Sequence, residues 1–148
     1  MKASRIAASL LVALSLCAAP AFAADPEEHF LLTPALLAKI KAAAPELKKL
    51  EKDEDEKDDG KDQLSVDDYV KAINAEPRAR AVLAKHGLGV RDFALSTFAL
   101  VHAGMFVGME PMMNKKQAAE MLGGFTKEQK ANIALLRKMG PEAYTLAR

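Results

Sequence analysis

The sequence predicts a small all-α bundle of about five or six helices packed around one central apolar helix at about residues 90–109. An uncharged run from Phe93 to Met109 supplies that helix, and segments with helical spacing of apolar residues flank it. No alternating apolar and polar pattern with turn residues indicates a strand. A chain of 148 residues has room for one core of this kind.

The N-terminal residues 1–23 have the pattern of a secretory signal peptide. Lys2 and Arg5 precede an apolar stretch, which ends in a small-x-small site at Ala23. A membrane anchor is the alternative, but the apolar run is shorter than a membrane span requires. We therefore expect cleavage after Ala23 and a periplasmic or secreted protein of the bacterial envelope, not integral to the membrane once cleaved.

Composition excludes several classes of protein. The chain has 21 basic and 20 acidic residues and one cysteine, Cys17, which lies within the leader. These counts exclude a disulfide scaffold, a cysteine-based zinc site and a strongly basic nucleic-acid binder. Leu16 stands where a lipoprotein signal carries a small residue, so we do not expect acylation of Cys17. Residues 24–148 are predicted to form a single helical domain of undetermined oligomeric state.

The first predicted helix begins at Thr33 and Pro34, which form an N-cap and first turn. Pro45 predicts a kink or break near Ala44. The acidic stretch 51–62 has no apolar residue and is predicted to be a solvated linker.

A calcium loop is the alternative interpretation of this stretch. If Gly60 is aligned with the invariant glycine of an EF-hand, Lys57 and Val66 fall where ligands belong. We therefore favour the linker.

The next helices are delimited by capping residues. Ser65 with Asp68 begins a helix that ends before Pro77, and Pro77 opens another that Gly87 closes. The central helix then starts at Val90. Because apolar residues lie all round it, we expect it to be buried on every side by other helices rather than by a bilayer. Its predicted core residues are Phe93, Leu95, Phe98, Leu100, Val101, Met105 and Phe106.

Two further helices are predicted in the C-terminal part. Glu110 and Pro111 end the central helix, and a short helix over Met112 to Leu122 follows it. Thr126 with Gln129 forms a capping box for the last one. Gly140 and Pro141 end this helix, and a final turn holds Ala143, Tyr144 and Leu146.

A histidine and several methionines form the most specific candidate site. His102, Met105 and Met109 share one helical face, and Met112 or Met113 follows the break at Pro111. Thioethers and imidazole are soft ligands suited to Cu(I). Core packing is the interpretation that we favour for these methionines, with copper binding and an adaptable groove for peptides or lipids as the alternatives. The candidate metal ligands are therefore His102, Met105, Met109 and Met112, with copper as the metal.

The remaining polar residues predict no catalytic site. His102 is expected to be a neutral core histidine, whereas His29 and His86 are expected to face solvent. No motif links Ser65, Ser96 or Thr97 to a histidine base. We therefore expect a protein without enzymatic activity or an organic cofactor, whose partners are protein or peptide clients.

Two stretches resemble known families. The segment Phe125-Thr126-Lys127-Glu128-Gln129 resembles one Leu-Thr-x-x-Gln motif of small helical periplasmic stress chaperones and metal sensors. The run AVLAKHGLGVRDFALSTFALVHAGM, within about 77–109, is similar to a family of small, secreted, all-helical proteobacterial proteins. The longer resemblance implies export and a helical fold, and neither resemblance assigns functional residues.

Overall fold

A computed structural model describes residues 25–51 and 65–140. Within these ranges the chain forms six α-helices and no strand, which confirms the all-α prediction. The predicted signal peptide 1–23, all but the first residue of the acidic stretch 51–62 and the final turn lie outside the described residues. The helices are α1 (Pro34–Glu51), α2 (Val66–Ala75), α3 (Pro77–Lys85), α4 (Val90–Met109), α5 (Lys115–Gly123) and α6 (Lys127–Met139), with a 3-10 turn at Glu110–Met112 between α4 and α5.

Helix α4 is the centre of the bundle, as predicted. It packs mainly against α6 and α2, and to a smaller extent against α3, which in turn supports α1. Alanines at 94, 99 and 103 are buried on α4, and such small side chains allow neighbouring helices to approach closely. The largest fully buried apolar side chains belong to the surrounding helices: Leu37, Leu83, Ile133 and Leu136.

The predicted helix ends are confirmed at several positions. The Ser65 hydroxyl accepts a hydrogen bond from Asp68 N at 3.2 Å, and α2 begins at the next residue. Helix α3 ends in a Schellman motif, in which Leu88 N donates to Leu83 O at 2.9 Å. Gly87 has φ +64° in this motif, a backbone conformation that favours glycine.

Two predicted boundaries are wrong. The predicted break near Ala44 is absent, because α1 continues through the exposed Pro45, where solvent is available to the backbone; the alternative of a kink at this point stays a prediction. Helix α5 begins at Lys115 rather than at Met112, because Asn114 and Gln117 form a capping box that fixes its first turn.

The prediction that α4 is buried on every side is also wrong. Val101 and Met105 were expected in the core, but their side chains are 40% and 61% exposed. Phe98 is only partly buried. The other predicted core residues, Phe93, Leu95, Leu100 and Phe106, are buried. Although α4 is uncharged on all sides from Phe93 onward, one face of the helix packs in the core and the opposite face is not covered by the described helices.

The segment before α1 is tied to α6 by polar side chains. The buried Asn132 accepts a hydrogen bond from Leu32 N and donates one to Phe30 O, both at 2.8 Å. The Thr126 hydroxyl, which also caps α6, donates to Glu28 O. These bonds hold residues 28–32 across the N-terminal half of α6, beside the exposed face of α4.

Candidate binding surface on helix α4

The exposed face of α4 carries an apolar stripe that we define as Val101, Met105, Met109 and Met112. Steps of four, four and three residues place these side chains on one side of the helix and the turn that follows it. Each of them is exposed, and Met112 reaches 82%. Gly108 lies on the same side, where an added Cβ would meet no atom within 4 Å. The stripe is thus a row of exposed apolar side chains along one side of α4 and the turn after it.

The first half of the stripe borders a pocket of about 290 Å³. Its apolar wall includes Phe98, Val101 and Met105 of α4, and α6 contributes Gln129 and Asn132. Asp25, Glu27 and Glu28 of the segment before α1 also line it. We call this opening the acidic pocket.

The acidic pocket owes its shape to the bonds between the N-terminal segment and α6. Thr126 and Asn132 hold residues 28–32 in place, and the Gln129 carboxamide accepts a hydrogen bond from Thr126 N at 2.8 Å. At the start of α6, the pKa of the Glu128 carboxyl is lowered by a hydrogen bond from its own backbone N–H and then by the His29 ring, whose Nδ1 lies 3.4 Å from Oε2 of Glu128. Negative charge is therefore retained at this end of the surface.

The second half of the stripe borders an open cleft of about 690 Å³ between the 3-10 turn and α5. We call it the methionine cleft, because Met109, Met112, Met113 and Met121 line it. Gln117 and Glu120 are its other lining residues. Helix α5 buries none of its own residues, so this wall of the cleft contributes little to the core.

The four predicted copper ligands do not line one common opening. His102 and Met105 lie at the acidic pocket, whereas Met109 and Met112 lie at the methionine cleft. No group of three His, Cys, Asp or Glu side chains placed to hold a metal occurs in residues 25–51 and 65–140. Copper binding at the predicted set stays a prediction, and sequence reasoning missed Met121, which only the fold of α5 brings to the cleft.

Two histidines differ from their predicted environments. His102 is exposed rather than in the core, and its ring contacts Phe125 edge-on at 4.9 Å between centroids. His86 is mostly buried rather than facing solvent, and its Nε2 lies 2.9 Å from Oε1 of Glu46. The helix cap formed by His86 turns its ring toward α1, which the sequence did not indicate. His29 is exposed, as predicted.

The hydroxyl groups considered as nucleophiles support helix backbone. Ser96 donates to Asp92 O and Thr97 donates to Phe93 O, in each case one turn earlier on α4. Ser65 caps α2 and its hydroxyl also donates to the Asp68 carboxylate at 2.6 Å. These contacts are typical of helical serine and threonine.

One described segment, Val90–Met112, is long and apolar enough to cross a membrane by length and composition, with a mean hydropathy of 1.4. Only 39% of its most apolar window is buried by the rest of the described bundle. That share is low for a helix at the centre of a soluble domain. The stripe contributes part of the unburied share, together with exposed or partly buried residues such as Phe98, His102 and Gly108.

Comparison of the chain with protein-family models, with curated proteins and with solved structures gives no match. The family resemblances drawn from short sequence segments therefore stay predictions.

Proposed function

We propose that this protein is an exported helical binding protein of chaperone type, which holds apolar, basic segments of other polypeptides on the stripe of α4. The observation that carries the proposal is the exposed row of Val101, Met105, Met109 and Met112 on the most apolar helix of the bundle. Contiguous apolar surface of this kind is unusual unless it binds something. Binding of polypeptide segments along the stripe requires no catalytic group.

The side chains of the stripe suit a variable partner. Three of its four residues are methionine, which has flexible torsions and a polarizable thioether and can repack around different apolar shapes. From residue 101 to 112 a helix rises about 16 Å, which matches about five residues of an extended chain. A short apolar segment of a partly unfolded protein would fit along it.

The charges beside the stripe favour a basic polypeptide over an anionic lipid surface. Asp25, Glu27 and Glu28 line the acidic pocket, and Glu120 lines the methionine cleft. No lysine or arginine is among the described residues that line either opening. These carboxylates attract lysine and arginine next to an apolar segment and repel anionic headgroups.

Suppression of aggregation tests the proposal. A denatured client is diluted without ATP in the presence of a near-stoichiometric amount of the protein, and light scattering is followed. The wild type should suppress scattering, and the double variant Met105→Gln/Met112→Gln should lose most of this effect because polar side chains interrupt the stripe. Met139→Gln is the matched control, since Met139 is 42% exposed on α6 and lines neither opening.

Equal suppression by the double variant and the control would contradict the proposal. The basic preference is tested separately with two labelled apolar peptides that differ only in lysine or glutamate at their ends. The lysine peptide should bind at least tenfold more tightly, and Asp25→Asn/Glu28→Gln should reduce that preference. Equal binding of the two peptides, or tighter binding to anionic vesicles than to the lysine peptide, would argue for a different partner.

Export is the second part of the proposal. The charged, apolar and small-x-small order of residues 1–23 supports it. The intact mass of protein recovered from a periplasmic extract should correspond to a chain that begins at Ala24. A mass that retains residues 1–23 would contradict it.

A further inference from the structure

The methionine cleft concentrates one residue type, whose flexibility suits a client and whose thioether is also a soft metal ligand. Four of the seven methionines of the chain line this one opening, and they come from α4, the 3-10 turn, the residue after it and α5. No leucine, isoleucine, valine or phenylalanine is among its described lining residues.

Core packing does not explain the cleft. Met109, Met112 and Met121 are exposed, and Met113 is only partly buried. Methionine fills irregular gaps in cores because its side chain is flexible, but these side chains fill no gap between the described helices. What the four residues share is a thioether side chain that lines one opening.

We propose that Met109, Met112, Met113 and Met121 bind a Cu(I) ion in the methionine cleft. Thioethers are soft ligands that select Cu(I), whereas calcium and magnesium require several oxygen ligands. The end of α4, the 3-10 turn and the residue after it bring Met109, Met112 and Met113 to the same opening. Met121 faces them from α5 and closes the set.

Of the two oxygen-bearing side chains of the cleft, Gln117 is held in a helix cap and Glu120 is exposed on α5. Gln117 Oε1 accepts a hydrogen bond from Asn114 N at 3.1 Å in the capping box of α5. Glu120 lies 3.9 Å from Lys116 Nζ on the same helix. Neither contact involves a methionine side chain. The capping box also fixes where α5 begins and so positions Met121.

This site differs from the one that the sequence predicted. It keeps Met109 and Met112 but replaces His102 and Met105, which lie at the acidic pocket, with Met113 and Met121. The ligand shell is therefore expected to contain sulfur and no imidazole nitrogen. This inference is independent of client binding, although the two surfaces share two methionines.

Competition for Cu(I) with a chromogenic chelator under anaerobic conditions tests the site. The full chain carries Cys17→Ser in every sample, because a thiol would itself bind Cu(I). The parent should withdraw one equivalent of copper, and Met112→Leu/Met113→Leu/Met121→Leu should bind at least tenfold more weakly. Met105→Leu/Met139→Leu is the matched control and should bind like the parent, and circular dichroism should show both variants folded.

Leucine keeps the volume and apolarity of methionine and removes only the sulfur. The cleft variant should therefore still suppress client aggregation, which separates failure of the copper site from failure of the proposed function. X-ray absorption at the copper edge should show sulfur scatterers without nitrogen. The site would be overturned if the parent withdraws no copper, if the two leucine variants bind equally, or if an imidazole appears in the shell.

Discussion

At the scale of single residues, Asn132 makes the most specific contact in the fold. Its side chain is 1% exposed and bridges Phe30 O and Leu32 N, so it holds the N-terminal segment on α6. Asn132→Ala would leave both backbone groups without their partner. We expect a loss of about 2 to 4 kcal/mol in the free energy of unfolding, measured with urea.

Asn114 provides the comparison for Asn132. It caps α5 at an exposed position, where water can replace its hydrogen bonds. Asn114→Ala should cost about 1 kcal/mol. Equal losses for the two variants would mean that burial of the Asn132 amide is unimportant to the fold.

The ionisation of Glu46 is expected to make the stability of the fold depend on pH. Hydrogen bonds from Lys85 and then from His86 lower the pKa of the Glu46 carboxyl below its usual 4.5. The folded state therefore binds fewer protons than the unfolded state in this range. The stabilisation from Glu46 is present above pH 4.5 and is lost as the pH falls through the lowered value.

Urea unfolding between pH 6 and pH 3 measures this effect. Glu46→Gln should show a smaller loss of stability on acidification than the wild type. Glu120→Gln is the control, since Glu120 is exposed and its carboxylate lies 3.9 Å from Lys116 Nζ. If Glu46→Gln and the wild type respond identically to acid, the contact between α1 and α3 does not contribute in solution.

At the scale of helices, the sequence predicted where each helix begins and ends better than which face of the helix is buried. Caps depend on local chemistry, so Ser65, Pro77 and Gly87 could be recognised without tertiary information. Asn114 was missed because Met112 and Met113 extend the apolar pattern ahead of it. The faces of α4 could not be assigned, because a helix with apolar residues on all sides does not indicate which side meets its neighbours.

The two faces of α4 should respond differently to truncation. Leu100→Ala and Phe106→Ala remove buried side chains and should each cost about 2 to 5 kcal/mol. Val101→Ala and Met105→Ala remove side chains already exposed to water and should each cost less than about 1 kcal/mol. Thermal unfolding of the four variants measures this. Large losses at Val101 and Met105 would show that the face is covered in the intact protein.

At the scale of the whole molecule, the site could be predicted only in part. The methionines near the end of α4 were recognisable because they recur at helical spacing. Their division between two openings was not, because it depends on where α5 and the N-terminal segment pack. Residues 25–28 join the site through Thr126 and Asn132, about 100 positions away in sequence. No local pattern encodes contacts over that distance.

The central claim is that the stripe of α4 binds apolar, basic polypeptide segments. Methyl NMR of protein with labelled methionine tests it most directly, because Met105, Met109 and Met112 report from the stripe and Met139 reports from α6. On titration with the lysine-flanked apolar peptide, the three stripe signals should shift or broaden together while the Met139 signal stays in place. Unchanged stripe signals at saturating peptide, or equal changes at Met139, would contradict the claim.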